Sequence, residues 1–445
     1  MKINNEEFVV VGLFAGAGGL DTGLTQSGLP VVLAIDIDPV ACETYKANHP
    51  NTIVWNRDVA TITGEEIRKV TGNKRIIVAG GSPCQSWSEF KVEIKGSKTG
   101  TEDDRGKLIY QYLRIVEELN PEIILFENVP YMVSDKHLPE FEKFRNQLQT
   151  QTGLSLEYQI LNAIDYGQAQ LRERVIMIGT KENIVNPFRF LKPIKGPRTL
   201  QEALVDCPPS EYFHFRKTDS EIMKKIGEGR CWNALPPCEA YAAMGKDYRG
   251  VCLQCGHNFV GMNRCPKCGS TDFKNGRGIT SYLRRLSFNK PSFTICAVPT
   301  NKTHGMLAHP TEHRCLSIRE SARLQGFPDD YVFKGNIYEQ QRLIGNAVTC
   351  GKGKAIGLAI IEALKQATFN NRQEKSSTSL TGNQTKWIEV IVTHPLRFSL
   401  SELEKDFVRI AYKRYNAKQP FPARYDVYLQ EIVSKLTKLP KKKVG

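Results

Sequence analysis

Cys84 follows Pro83 at the end of an apolar run, in the stretch Gly80-Gly81-Ser82-Pro83-Cys84-Gln85-Ser86. A thiol there is a candidate nucleophile, because sulfur attacks electrophilic carbon even when only a small fraction is ionised near neutrality. Glu127 closes a second apolar run before Asn128-Val129 and offers a carboxyl that can give or take a proton. Gln170-Leu171-Arg172-Glu173-Arg174 adds two guanidinium groups, suited to a base oxygen, a phosphate or the surroundings of the thiol. Upstream, Phe14-Ala15-Gly16-Ala17-Gly18-Gly19-Leu20 places glycines where missing side chains let backbone amides approach a ligand. That turn suits a nicotinamide dinucleotide as well as a sulfonium cofactor, and does not choose between them. Asp36 and Asp58, after the second and third apolar runs, can accept hydrogen bonds from ribose hydroxyls and an adenine amino group. Each residue alone has a plainer reading. A strand-end cysteine is most often a small buried hydrophobe, and strand-end carboxylates often face only solvent.

The elements that must position these groups read clearly in the first 180 residues or so. Short β-branched runs at Phe8–Phe14, Val31–Asp36, Thr52–Asn56, Arg75–Gly80, Glu122–Glu127, Glu157–Ala163 and Val175–Thr180 alternate with amphipathic stretches such as Pro39–Asn48 and Leu108–Leu119. This rhythm predicts an α/β fold, a doubly wound and mostly parallel sheet. Asp36, Cys84 and Glu127 then fall at the carboxyl ends of strands, where such sheets bind ligands. From 184 to 280 the rhythm gives way to prolines, glycines and two Cys-x-x-Cys pairs. Periodic structure returns at Ser317–Gln325 and Gly351–Lys365, and Asn370–Lys386 has the polar composition of a linker. The tail from Trp387 reads as a strand followed by helices, ending in a lysine-rich stretch.

Cys252-Leu-Gln-Cys255 and Cys265-Pro-Lys-Cys268, each pair followed by glycine, have the spacing of a zinc ribbon with four thiolate ligands. A closed four-thiolate site leaves no open coordination position, so the metal is expected to be structural. Twelve cysteines without a secretion signal point to free thiols, metal ligands or a nucleophile more than to disulfides. The formal charge of +14 agrees with a polyanionic partner without requiring one. Mean hydropathy is −0.36, and no apolar run approaches the roughly 18 residues of a membrane span. Met1–Glu7 lacks the pattern of a signal peptide, so a cytoplasmic protein with no membrane partner is expected.

The joint order of these blocks resembles the DNA (cytosine-5) methyltransferase family, in its compact prokaryotic form. Ser-Pro-Cys84-Gln, Glu127-Asn-Val, Asp165-Tyr166-Gly167 before Gln170, the run Ser317–Pro328 and Gly345-Asn346-Ala347-Val348 all match in sequence order. The resemblance covers roughly 1–183 and 280–362. It implies a Rossmann-like S-adenosylmethionine-binding sheet with a smaller recognition domain. It assigns Cys84, Glu127, Arg172 and Arg174 to the chemistry. Phe14, Ala15, Gly16, Gly18, Gly19, Leu20, Asp36, Ile37, Asp58, Val59, Pro83, Asn346 and Ala347 go to the cofactor; Cys252, Cys255, Cys265 and Cys268 go to zinc by their spacing alone, since a ribbon is not a general feature of the family. The family usually has an aspartate where this chain has Gly12, and a proline pair where it has Thr349-Cys350.

The implied organisation is a catalytic domain at 1–183, a recognition domain at 184–313 with the ribbon at 252–268, a return to the catalytic domain at 314–368, a linker at 369–386 and a basic appendage at 387–445. The implied reaction is methyl transfer from S-adenosylmethionine to carbon 5 of a flipped-out cytosine in a specific duplex sequence, through a Cys84 adduct. The implied partners are double-stranded DNA and a restriction enzyme acting on the same site, for a chain that works as a monomer. A tRNA cytosine-5 methyltransferase on the same scaffold is the near alternative, though its recognition segment is generally shorter and carries no ribbon. A nucleotide-binding oxidoreductase and a non-catalytic zinc-ribbon DNA-binding protein are alternatives from other classes.

Overall fold

The computed structural model describes residues 7–83, 107–193, 198–245, 248–260, 264–276, 282–301 and 306–376, with parts of 388–438. Cys84 lies outside the described residues. Seven strands form one sheet: β1 (Phe8–Leu13), β2 (Val31–Asp36), β3 (Ile53–Asn56), β4 (Arg75–Gly80), β5 (Ile123–Asn128), β6 (Ser155–Asn162) and β7 (Glu173–Thr180). Their order is β3-β2-β1-β4-β5-β7-β6. β1 through β5 pair in parallel, whereas β7 runs antiparallel to both neighbours, β5 and β6. The chain between Asn162 and Glu173 contains only a short 3-10 turn, so β6 and β7 return as a hairpin and must be antiparallel. The fold is α/β with a mostly parallel sheet, as the strand–helix rhythm predicts.

The central strands are buried on both faces, and β1 (Phe-Val-Val-Val-Gly-Leu) is buried at all six positions. Continuous β-branched runs of this kind suit a sheet covered by helices on either side. One core cluster gathers Val9, Val11, Ile35, Val78, Ile124 and Phe126 with Tyr112, Phe141 and Phe144 from the helices Leu108–Leu119 and Leu138–Thr152. Local chemistry fixes the helix starts. Asp38 caps the Pro39–Asn48 helix by accepting from Val40 and Ala41, with proline at its first position. Ser317 with Glu320 and Asn336 with Glu339 form capping boxes at Ile318–Gln325 and Ile337–Asn346.

The chain falls into two compact units, residues 1–182 with 186–361, and 183–185 with 362–445. Within the first, β8 (Arg249–Cys252), β9 (Asn258–Val260) and β10 (Phe273–Asn275) make a small antiparallel sheet in the order β10-β8-β9. Within the second, Ile388, Ile391, Ala411, Leu429 and Ile432 are buried, and Lys435 pairs with Glu404 at 2.8 Å. Two expectations change. The helix that opens at Cys350 runs to Ser376, so the first residues of the polar stretch 370–386 are helical. Ile388 and Ile391 are also helical rather than extended. The β-branched run after Trp387 reads as a strand, and a short apolar run cannot be told from a helix by pattern alone. Among the described residues no helix is long and apolar enough to cross a membrane.

Candidate active site

The glycine-rich turn leaves β1 through Phe14, whose φ of 54° is left-handed for a residue with a side chain, and through Gly16 and Gly18 at 54° and 81°. Asp36, at the carboxyl end of β2, holds the turn. Its carboxylate accepts from the Gly16 amide at 2.8 Å and from the Asp38 amide at 2.9 Å, while burial raises its pKa. A Cβ placed on Gly16 would meet nothing within 4 Å. The turn therefore opens onto free space above the sheet edge, a cradle a cofactor can fill. Asp58, beyond the end of β3, caps the short turn that begins at Val59 by accepting from Ala60 at 2.9 Å. Ile37 stands beside Asp36 with 66% of its surface exposed, an uncovered apolar side chain at this edge.

Gly19 and Leu20 open the helix Gly19–Ser27. A Cβ on Gly19 would collide with the Val348 carbonyl and lie 3.0 Å from Ala347 Cβ. Ala347 is buried and Asn346 exposed, so the Gly345–Val348 block packs onto the glycine turn. Gly12 has a structural explanation. A Cβ there would sit 2.5 Å from the Asp21 carboxylate, which fills the space instead. Asp21 is buried and accepts from Tyr45 Oη at 2.8 Å, and burial lifts its pKa to about 6. Sequence reading passes over Asp21, because a carboxylate in a first helical turn is ordinary dipole chemistry.

Glu127 is the penultimate residue of β5, and its Oε1 lies 3.1 Å from Arg174 Nε, at the start of β7. Both side chains are largely buried, 14% and 13% exposed. The antiparallel β5–β7 pairing brings them together, since Glu127 sits opposite Ile176. Gly81 lies against Glu127: a Cβ there would collide with the Glu127 carbonyl and approach its Oε2 to 3.3 Å. Asn128 Nδ2 donates to the Ser82 carbonyl at 3.2 Å. The backbone through Gly81, Ser82 and Pro83 is thus fastened beside the Glu127–Arg174 pair, immediately before Cys84.

Arg172 has surroundings different from those of Arg174. It is buried, and its guanidinium donates to the carbonyls of Ile295, Gly345 and Ala347 at 3.0, 2.9 and 2.9 Å. It ties three segments together through these bonds, whereas the Arg174 guanidinium lies beside Glu127. Gln170 works alongside it, donating to the Leu324 carbonyl at 3.0 Å and accepting from Ile295 at 2.9 Å. Residues two apart in an extended segment share a face, so alternation does not separate the two arginines; Arg172 stands just before β7 and turns to these carbonyls, while Arg174 lies within the strand beside Glu127. Lys352 is a further residue the sequence does not flag. It is 1% exposed, and its Nζ donates to the carbonyls of Leu161 and Arg172 at 2.9 and 3.3 Å. A lysine near a helix start ordinarily reads as solvated.

Cys252, Cys255, Cys265 and Cys268 form a separate cluster, with all four sulfurs within 4.8 Å of one another. The Cys252–Cys268 and Cys255–Cys265 sulfurs are 3.5 and 3.6 Å apart. Tetrahedral zinc with bonds of about 2.3 Å would place its sulfurs about 3.8 Å apart, so the donor set fits. His257 is not in the cluster.

Sheet order and glycine turn define a Rossmann-like cofactor-binding fold, with the Glu127–Arg174 pair among its strand ends. The profile of the family described as C-5 cytosine-specific DNA methylase matches residues 8–362, and the chain belongs to that family. It is 32% identical over 373 residues to the type II methyltransferase M.Eco47II of Escherichia coli, covering 82% of this chain and 81% of that one. It is 33% identical over 367 residues to M.Sau96I of Staphylococcus aureus, covering 81% and 77%. M.MthTI of Methanothermobacter thermautotrophicus is 33% identical over 340 residues, covering 76% and 92%. Among solved structures, a putative DNA modification methyltransferase encoded within an E. coli prophage superposes with a TM-score of 0.55 at 23% identity, covering 80% of this chain and 99% of that one. At that identity it establishes the fold alone. The chain is a cytosine C-5 DNA methyltransferase; family membership implies S-adenosylmethionine as methyl donor and DNA as substrate.

Proposed function

We propose that the chain is the modification enzyme of a type II restriction-modification system, methylating carbon 5 of a flipped-out cytosine in a specific duplex sequence. Carbon 5 of cytosine is a weak nucleophile within an aromatic ring. Addition of the Cys84 thiolate to carbon 6 breaks that aromaticity and leaves an enamine whose carbon 5 can take the methyl group. In this reading the Glu127 carboxyl hydrogen-bonds ring nitrogen 3 as charge builds there, and Arg174, 3.1 Å away, steadies its rotamer. Gly80 and Gly81 let the strand before Cys84 approach β1 and β5 closely. Loss of the carbon 5 proton and departure of the Cys84 sulfur then restore the ring and the free thiol. Bound S-adenosylmethionine supplies the methyl group as an electrophilic sulfonium. The residues that would hold it are Phe14, Ala15, Gly16, Gly18, Gly19 and Leu20 in the turn, Asp36 and Ile37 at β2, Asp58 and Val59 beyond β3, with Pro83, Asn346 and Ala347.

The four cysteines would hold a structural zinc ion, anchoring β8–β10: among the described residues only Phe259 and Phe273 join Cys252, Cys255 and Cys265 in its core. Residues 184–313 form the recognition part in this reading. Residues 1–183 with 314–368 form the catalytic part, and the polar stretch ending at 386 precedes an appendage at 387–445. A cytoplasmic monomer suffices for the chemistry, with a cognate endonuclease sharing the site and not the complex.

The observation that carries the proposal is the Glu127–Arg174 pair at 3.1 Å, with the Gly81–Pro83 backbone fastened beside it. Transfer of labelled methyl groups to duplex DNA and to tRNA, side by side, tests it. Duplex labelling that is lost in Glu127→Gln, with cofactor binding kept, is the expected outcome. Labelling of tRNA alone would overturn it.

A further inference from the structure

Among the described arginines that are at least partly buried, most are committed to partners. Arg172 is held by three carbonyls, and Arg285 by those of Met223, Ile226, His309 and Glu312. Arg174 pairs with Glu127, Arg314 with Glu312 and Glu320, Arg323 with Asp329, and Arg342 with Asp38. Arg284 differs. Its Nε is buried without a hydrogen-bond partner. Burial pulls its pKa down to about 10, which leaves it a cation at neutral pH, and among the described residues the titratable groups acting on it are the thiols of Cys231 and Cys296. Its guanidinium lies over the ring of Phe293, with Cζ 3.1 Å from the ring centroid.

The position of that platform matters. Phe293 belongs to a segment bonded to the approach of β7. Ser292 donates to the Ala169 carbonyl and Leu171 to the Ser292 carbonyl, each at 2.8 Å. Thr294 Oγ1 donates to the Leu171 carbonyl at 2.8 Å, and Ile295 to Gln170 Oε1 at 2.9 Å. Phe293 and Leu171, 37% and 38% exposed, are the open apolar side chains on these two segments. Three residues beyond Leu171 comes Arg174. A half-buried guanidinium without a counter-anion is costly to keep, and stacking against an aromatic ring offsets only part of that cost. One face is occupied by Phe293, which leaves the edge of the fork for a planar, bidentate anion.

We propose that Arg284, held on Phe293, binds a backbone phosphate of the DNA substrate next to the target cytosine. This inference rests on the DNA methyltransferase reading above. A phosphate supplies the missing anion, and the ring sets the direction of the fork before DNA arrives, so little side-chain freedom is lost on binding.

The test uses the full chain and duplex oligonucleotides, with affinity measured across a series of salt concentrations and S-adenosylmethionine binding as the folding control. Arg284→Gln should weaken duplex binding about tenfold, the worth of one charged hydrogen bond. It should also lower the slope of log affinity against log salt by about one, equally on cognate and non-cognate sequences. Arg284→Lys should restore the slope and part of the affinity. Unchanged affinity and slope in Arg284→Gln would overturn the proposal, and so would a loss confined to the cognate sequence, which would mark a base contact. If Arg284→Gln loses cofactor binding, Phe293→Leu serves instead, since it frees the guanidinium and keeps the charge. Weaker duplex binding at an unchanged salt slope then supports the proposal, and unaltered affinity overturns it. A wild-type chain that neither binds nor methylates duplex DNA would instead remove the parent reading.

Discussion

Replacing Lys352 by methionine removes a buried proton-binding group while keeping the length of the side chain. Lys352 is 1% exposed and is held by the carbonyls of Leu161 and Arg172. Burial lowers its pKa from the ordinary 10.5 to about 7; Arg174 and Arg172 push in the same direction, and Glu127 and Asp165 oppose it. Between those two values the unfolded chain carries the proton and the folded chain does not, so stability rises with pH through that window. Below about pH 7 both states are protonated, and the folded state bears the full cost of the buried ammonium. The slope for one proton is about 1.4 kcal/mol per pH unit, or about 2.7 kcal/mol between about pH 7.5 and about pH 9.5. Ammonium and neutral amine can both donate to the two carbonyls, so deprotonation leaves neither carbonyl without a donor. Urea unfolding of the wild-type chain and Lys352→Met at several pH values gives the difference directly. The wild type should gain about 2.7 kcal/mol on the variant over that window. A difference that is constant with pH, or that shrinks as pH rises, would refute the reasoning.

Arg172→Met should lower stability by about 3–5 kcal/mol, because three buried carbonyls lose a charged donor; an unchanged urea midpoint would contradict its part in tying the three segments together. Gly23→Ala should cost at least about 2 kcal/mol or abolish soluble expression, since its Cβ would lie 2.5 Å from Lys354 N and 2.7 Å from Gly353 C, with no flexible side chain to yield. Gly16→Ala, where a Cβ meets nothing within 4 Å, should keep the fold within about 2 kcal/mol and weaken S-adenosylmethionine binding, as titration calorimetry would read. Cys252→Ser should lower both metal content and stability, with elemental analysis giving close to one zinc per wild-type chain; under about a fifth of an equivalent would contradict four-thiolate coordination.

The sheet was legible because its strands are short β-branched runs bounded by helices of strong period. β2, β4 and the Pro39–Asn48 and Leu108–Leu119 helices have the limits the sequence predicts. The antiparallel direction of β7 is hidden, because hydrophobic pattern is blind to strand direction and the short connection after Asn162 decides it. The turn, Asp36 and Glu127 could be read from residue type and strand-end position. The division of labour between Arg172 and Arg174 could not, since it depends on Ile295, Gly345 and Ala347, which are distant in sequence. Lys352 and Arg284 escape notice for a related reason. Charged residues are assumed to be solvated, and only packing reveals a lysine closed in by two carbonyls or an arginine laid on a ring. In the tail, Ile388 and Ile391 show how β-branched composition misleads when the segment is short: their spacing of three suits the helix they form.

The central claim is that Cys84 makes this chain a site-specific cytosine C-5 methyltransferase of duplex DNA. Expression of the wild-type chain and Cys84→Ser in a host free of cytosine methylation, followed by bisulfite sequencing of the host genome, tests it most directly. The expected result is one short sequence motif with protected cytosines throughout the wild-type sample and none in Cys84→Ser. No protected cytosine from soluble, zinc-loaded wild-type protein, or equal protection with Cys84→Ser, would contradict it.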